Sequence, residues 1–141
     1  MILDIILTRC LIYIFSYDLW FYISHIILHK KIFYNSIHYI HHITHYKKMT
    51  YKDTYKSHYL ETIVQSIGIF LPIMFMKFIY LEFIFVLILI NIRGMIRHDF
   101  NLQWIFGNHH ILHHQYGNCN YGEYYLDYIF NTNFTKEKRK L

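Results

Sequence analysis

Two long apolar stretches, each followed by a polar, tyrosine-rich segment, set out the plan of the chain. The first runs from Ile5 to Leu28, interrupted by Arg9 and Asp18. About 20 such residues rising ~1.5 Å each cross a hydrocarbon core of roughly 30 Å, so this stretch predicts one membrane helix over 5–28. The segment from His29 to Tyr59 is polar, and a second apolar stretch from Leu60 to Ile92 follows, broken by Pro72 and by Lys77. Unbroken, that second stretch is a helix of about 50 Å, too long for one crossing, whereas two full crossings need about 40 residues. A tight helical hairpin or re-entrant pair over 60–92 meets both limits, with Lys77 snorkelling at its turn. Such a hairpin returns to its starting side, so the polar regions before and after it share one aqueous face.

From His98 onward the chain is polar and aromatic, with Gly107, Gly117 and Gly122 as turn points and a basic tail over 133–141. No linker-like composition divides the 141 residues, and the expectation is one all-α domain over 1–141. Its membrane helices are expected to carry a cytosolic, histidine-rich helical cap.

Composition supports the bilayer. At 55% hydrophobic, 21% aromatic and 16% charged, the chain has more apolar surface than a soluble domain of this size buries. The apolar run near the N-terminus lacks a small-residue cleavage site, so it is expected to stay in the protein. The net charge of +5 does not form one basic face. Its lysines gather at Lys30–Lys31, Lys47–Lys56 and Lys136–Lys140, flanking apolar stretches, a pattern of cytoplasmic loops and anionic headgroups rather than of nucleic-acid binding. Cys10 and Cys119 are far apart in sequence, so neither a disulfide framework nor a cysteine zinc site is indicated.

Metal chemistry must then rest on histidine, of which there are twelve. His25 and His29 stand at i and i+4, His38, His41 and His42 at i, i+3 and i+4, and His110, His113 and His114 repeat the second pattern. Helical spacing directs each group to one side of its helix. At this histidine frequency fewer than about 0.1 occurrences of H-x-x-H-H arise by chance, and the chain has two. Imidazole nitrogens without thiolate suit iron, zinc or copper, and eight or more of them exceed what one ion uses. Two metal ions follow.

These residues also carry a resemblance. The stretch Asp18 to His29, followed by IHYIHH from Ile37 to His42, is similar to the first two histidine boxes of the fatty acid hydroxylase and sterol desaturase superfamily. HYLET, from His58 to Thr62, resembles the His-Pro-x-Glu-Thr stretch of its C-4 methylsterol oxidase branch. HHILHH at 109–114, NYG at 120–122 and LDYIFNT at 126–132 resemble its C-terminal signature. The resemblance covers roughly Tyr17 to Thr132.

Residue by residue, it implies metal ligation by His25, His29, His38, His41, His42, His110, His113 and His114, with His98 and His58 as further ligands. His98 is followed by Asp99 and Phe100 where the family has Ser-Gly, and Asn131 stands in place of the Gly of the terminal Gly-Thr pair. His45 and His109 have no family counterpart and are expected to be exposed or to support a ligand from behind. The chain is shorter than members usually are, which implies a smaller substrate tunnel or a homodimer.

The implied activity is O2-dependent hydroxylation, oxidative demethylation or desaturation of a sterol or fatty acyl lipid. An unactivated C–H bond resists acid and base, and the implied cofactor is a pair of iron ions, which zinc can replace in a purified sample. Asp18, Glu61, Asp99, Glu123 and Asp127 are the carboxylates available to orient ligand rings, and Trp20, Phe21, Trp104 and Phe106 are expected to guide the lipid. No dinucleotide-binding glycine motif is present, so electrons are expected from a partner such as cytochrome b5 or a reductase. KRKL at 138–141 loosely resembles a dilysine retrieval signal and points to the endoplasmic reticulum in a eukaryotic cell. The competing reading is a non-catalytic, zinc-binding membrane protein of the same descent.

Overall fold

The computed structural model describes residues 2–135, so the basic run 136–140 and the KRKL end of the expected basic tail lie outside the described residues. Its longest element is α1, Ile2–Leu28, 27 residues or about 40 Å of helix. Among the described residues one helix, Leu3–Leu28, is long and apolar enough to cross a membrane. Its outer face bears Leu3, Leu7, Leu11 and Phe15, all more than half exposed.

Against α1 lies α3, Tyr59–Phe70, and Gly68 sets how closely the two approach. A Cβ at this position would stand 2.7 Å from Trp20 Cβ and 3.0 Å from Tyr17 Cα, well inside contact distance, so a larger residue forces the helices apart. That proximity lets two α1 side chains bond to the α3 backbone. Ser16 Oγ donates to Gly68 O at 2.9 Å, and Trp20 Nε1 donates to Val64 O at 2.6 Å.

Pro72 ends α3. Lacking an N–H, it is tolerated at the start of the 3-10 turn Leu71–Met74, after which an irregular stretch with exposed Lys77 leads into α4, Tyr80–His98. The turn is tied to α1, because Arg9 Nε donates to Glu82 Oε2 at 2.6 Å and the same guanidinium donates to the Lys77 carbonyl. Between the three helices Cys10, Tyr13, Ile69, Phe83, Val86 and Ile90 form the apolar core. At 12 residues, about 18 Å, α3 is too short to cross a bilayer, while α4 at 19 residues runs six positions past Ile92 to His98.

The polar regions assemble at the C-terminal ends of α1 and α4. After α1 come α2, Lys31–Ser36, and 3-10 turns at His38–Ile40, Tyr46–Lys48 and Tyr51–Tyr55. Asp53 fastens this segment by accepting from Thr44 Oγ1 at 2.7 Å and from the Thr50 amide at 2.8 Å. After α4 come α5, Gln103–Phe106, α6, His109–Tyr116, and α7, Tyr124–Ile129. Gly117, at φ +73°, closes α6 in the left-handed conformation that glycine adopts without strain.

Candidate metal centre

Nine histidines converge where these segments meet, in two groups. His25, His29, His38, His42 and His113 form one, and His41, His98, His110 and His114 the other. Within each group all the ligand atoms lie within 4.8 Å of one another. In the first, Nε2 of His38 is 3.1 Å from that of His25, 3.0 Å from that of His29 and 3.1 Å from that of His42. His113 Nε2 closes the ring at 3.1 Å from His29 Nε2 and 3.2 Å from His42 Nε2. In the second, His98 Nε2 is 3.0 Å from that of His41 and 2.9 Å from that of His110, and His114 Nε2 is 3.2 Å from that of His110.

Local geometry explains the sorting. His25 and His29, one helical turn apart at the end of α1, enter the same group. The segment at 38–42 departs from the expected α-helix: a 3-10 turn at His38–Ile40 leads directly into a hydrogen-bonded turn at His41 and His42. His38 and His42, four residues apart, enter one group, while His41 goes to the other. On α6, His110 and His114 at i and i+4 share one group and His113 turns to the other. Each H-x-x-H-H run therefore feeds both groups.

The outward nitrogens decide the tautomers. His25 Nδ1 donates to Tyr121 O at 2.5 Å, His113 Nδ1 to Cys119 O at 2.7 Å, His98 Nδ1 to Gly94 O at 2.8 Å and His41 Nδ1 to Lys56 O at 3.2 Å. A carbonyl oxygen only accepts, so each of these rings carries its hydrogen on Nδ1, and in the neutral form Nε2 presents a bare lone pair. Burial and the nearby His113 and His38 rings hold His29 down at about 2, burial holds His38 at about 4, and burial outweighs the Cys119 bond to hold His113 at about 3. The rings are neutral at pH 7.

Bare lone pairs about 3 Å apart repel unless a cation sits between them. A metal about 2.1 Å from each nitrogen sets neighbouring nitrogens about 3.0 Å apart in an octahedral arrangement and about 3.4 Å apart in a tetrahedral one. The observed separations, 2.9 to 3.2 Å, match the edges of such polyhedra. Both groups fit a metal ion bound by neutral imidazoles.

Of the five carboxylates expected to orient rings, Glu61 reaches a member of either group. Its Oε1 lies 2.9 Å from His38 Nδ1, both residues being buried. The others act elsewhere. Asp18 accepts from Arg93 and, at 3.1 Å, from Tyr125 Oη, while Glu123 pairs with Arg93 at 3.3 Å and with Arg97. Asp99 accepts from the Tyr51 and Asn101 amides at 3.2 and 2.9 Å. Asp127 organises a loop, accepting from the Tyr121 amide at 2.8 Å, the Gly122 amide at 2.9 Å, Thr132 Oγ1 at 2.7 Å and His109 Nε2 at 2.9 Å. Four backbone carbonyls thus do what carboxylates were expected to do.

His58 and His45 lie outside both groups. His58 Nδ1 accepts the Leu60 amide at 3.2 Å and caps α3, and the exposed His45 accepts the Lys47 amide at 3.3 Å. Asn131 has φ +53°, in the left-handed region that asparagine tolerates almost as glycine does, which accounts for its standing in place of Gly.

A cavity of about 490 Å³ opens beside the four-histidine group. His41, His98 and His110 line it, whereas none of the five-histidine group does. Of the four aromatic residues expected to guide a lipid, Phe21 lines this cavity. Trp20 is engaged with α3, and Trp104 and Phe106 are 79% and 50% exposed.

No curated protein and no solved structure matches the chain. The sequence model of the fatty acid hydroxylase family matches residues 10–132. That match begins within α1, ends beyond α7 and takes in all nine converging histidines, so the chain belongs to the fatty acid hydroxylase family, and with it to the membrane-associated, metal-binding oxidoreductases of lipid hydroxylase or desaturase type.

Proposed function

We propose that the chain is a membrane-bound di-iron oxygenase, one domain over 1–141, that hydroxylates, oxidatively demethylates or desaturates a sterol or fatty acyl lipid. His25, His29, His38, His42 and His113 hold one iron, and His41, His98, His110 and His114 hold the other. His58 stays outside the set and caps α3. The observation that carries this reading is the convergence of bare Nε2 atoms at 2.9 to 3.2 Å in two separate groups. Two irons bound there supply the activation of O2 that oxidation of an unactivated C–H bond needs. The chain's own part is to keep nine imidazoles neutral, to fix ring orientation through carbonyls and Glu61, and to shield the groups by burial.

The cavity beside His41, His98 and His110 makes the four-histidine group the one that meets substrate. Glu61, within the stretch that resembles the C-4 methylsterol oxidase branch, touches His38 and lines that cavity, which favours a sterol-type substrate. Electrons come from cytochrome b5 or a comparable reductase, for which the exposed Lys47, Lys48 and Lys52 offer a basic surface on the histidine-rich end. That end faces the cytosol, in the endoplasmic reticulum of a eukaryotic cell, and two copies pair in the membrane.

Purification in detergent under anaerobic, iron-supplied conditions tests this directly. The expected result is two metals per chain, both lost in a His113→Ala, His114→Ala double variant, since His113 and His114 belong to different groups. Reduced iron should then drive O2 consumption with a lipid. One metal or none, unchanged in the variant, overturns the di-metal reading. Full zinc loading with no redox response and no product favours the non-catalytic zinc protein.

A further inference from the structure

The outward face of α7 and its C-cap is apolar where a water-facing helix carries charge. Tyr124, Tyr128, Ile129 and Phe130 are all more than half exposed. From Tyr124 to Phe134 the one charged side chain is Asp127, and it is fully buried. By contrast, the 3-10 segments at the same end of the molecule expose Lys47, Lys48, Lys52 and Lys56.

Register against α1 gives the depth of this face. Tyr125 stacks on Phe15 with ring centroids 6.5 Å apart, and Phe130 stacks on Tyr22 at 5.2 Å. Along α1, Phe15 lies about 15 Å from the level of His25 and Tyr22 about 4.5 Å from it. A hydrocarbon core of roughly 30 Å takes up about 20 residues of α1. It includes both positions whether it starts at Leu3 or at Arg9, the residue tied to the turn at Lys77. Phe15 is itself on the exposed outer face of α1, so α7 continues the surface through which α1 meets lipid.

A segment at that depth must satisfy its own backbone and neutralise its charges. The segment 119–134 meets both demands. The amides of Leu126, Asp127, Phe130, Asn131, Thr132 and Asn133 bond to carbonyls within it, and the Asn120 amide bonds to Thr132 O at 2.9 Å. Ahead of α7 the chain is irregular, but Asp127 takes the Tyr121 and Gly122 amides. Gly122 also packs on Tyr22 so closely that a Cβ would stand 2.9 Å from its ring. Glu123 pairs with Arg93 and Arg97, and Asp18 with Arg93, so the carboxylates and guanidiniums beneath α7 balance. Tyr125 Oη donates to Asp18 at 3.1 Å and joins α7 to this network.

Resting on the membrane reading above, we infer that the segment 119–134 is re-entrant: it dips from the histidine-rich end into the bilayer beside α1 and presents Tyr124, Tyr128, Ile129 and Phe130 to lipid acyl chains. A bilayer fits this face better than a protein partner does. The face is continuous with the lipid-facing side of α1, and tyrosines suit a boundary where the ring lies in lipid and the hydroxyl reaches headgroup water. The same hook carries the Tyr121 and Cys119 carbonyls that orient His25 and His113, so lipid covers the outer side of the loop behind the five-histidine group.

The test uses the full chain in phosphatidylcholine nanodiscs, with an environment-sensitive fluorophore on a cysteine introduced by Tyr128→Cys, Leu11→Cys or Lys52→Cys. All three positions are exposed, whereas Cys10 and Cys119 are buried, which directs labelling to the introduced thiol. Bromines on the acyl chains quench a label in the hydrocarbon, and iodide quenches one in water. The label at 11 should be quenched by brominated lipid and spared by iodide, the label at 52 should do the reverse, and the label at 128 should follow the one at 11. Quenching at 128 by iodide alone puts the hook in water, and quenching by neither puts it against protein, such as a second copy. Either result overturns the inference while position 11 still reports lipid. Loss of lipid quenching at position 11 overturns the membrane reading instead.

Discussion

Asp127 Oδ1 accepts the Tyr121 amide at 2.8 Å, and the carbonyl of that same Tyr121 accepts from His25 Nδ1 at 2.5 Å. A carboxylate that touches none of the nine converging histidines thus fixes the acceptor that orients one of them. Its hold on Gly122 and Thr132 steadies the same loop, from which Cys119 O receives His113 Nδ1. Both rings belong to the five-histidine group. Asp127→Ala is therefore expected to weaken metal binding in that group by about 10- to 100-fold and to leave the four-histidine group loaded. Metal content after timed chelation checks this; equal loss from both groups would count against a local role.

The two groups should also be separable by single substitutions. His113→Ala removes a nitrogen from the five-histidine group and His110→Ala one from the four-histidine group, so each is expected to lose about one metal per chain and keep the other. His58→Ala serves as the control. It loses a helix cap worth about 1 kcal/mol and should retain the full metal complement, as measured by elemental analysis of the purified protein.

Acid should destabilise the metal-free chain well above the pH at which carboxylates titrate. His29 is held at about 2, His38 at about 4 and His113 at about 3 when folded, against 6.5 for an ordinary imidazole. Between those values and about 6.5 the unfolded chain binds more protons than the folded one, so stability rises with pH. This contribution is complete above about 6.5 and is lost as the pH falls through the folded values. The thermal midpoint of metal-stripped protein is expected to drop steadily from about pH 7 to about pH 5; a flat profile would show that the rings are not buried as described.

Gly68 should be intolerant of any side chain. A methyl group there meets Trp20 Cβ at 2.7 Å and backbone at 3.0 Å, and the α1 backbone has no room to retreat without breaking the Ser16 and Trp20 bonds to α3. Gly68→Ala is expected to destabilise the protein by about 1–3 kcal/mol, read as a lowered unfolding midpoint in detergent. Gly107, beside which a Cβ would meet nothing within 4 Å, gives the contrasting case, where the strain comes from φ +75° alone.

Much of the architecture was legible because it depends on local pattern. An apolar run long enough for a bilayer, a proline that ends a helix and histidines one helical turn apart are all properties of short stretches. What these stretches do to one another was less legible. The acids at Asp18, Asp99, Glu123 and Asp127 read equally well as partners for ligand rings, yet the fold directs them to arginines, backbone amides and His109. The acceptors that do hold the rings, carbonyls of Lys56, Gly94, Cys119 and Tyr121, have no signature, since every residue has a carbonyl.

By itself the sequence determined that this protein is helical, rich in apolar surface and equipped with more closely spaced imidazoles than one metal ion can use. Only the tertiary structure decided how those imidazoles divide. Periodicity gives the face of a residue within its own helix, but the relative rotation of α1, α4, α6 and the 3-10 turn at 38–40 is set by packing. A one-residue step from His41 to His42 crosses from one group to the other, and only the assembled backbone reveals where each ring points.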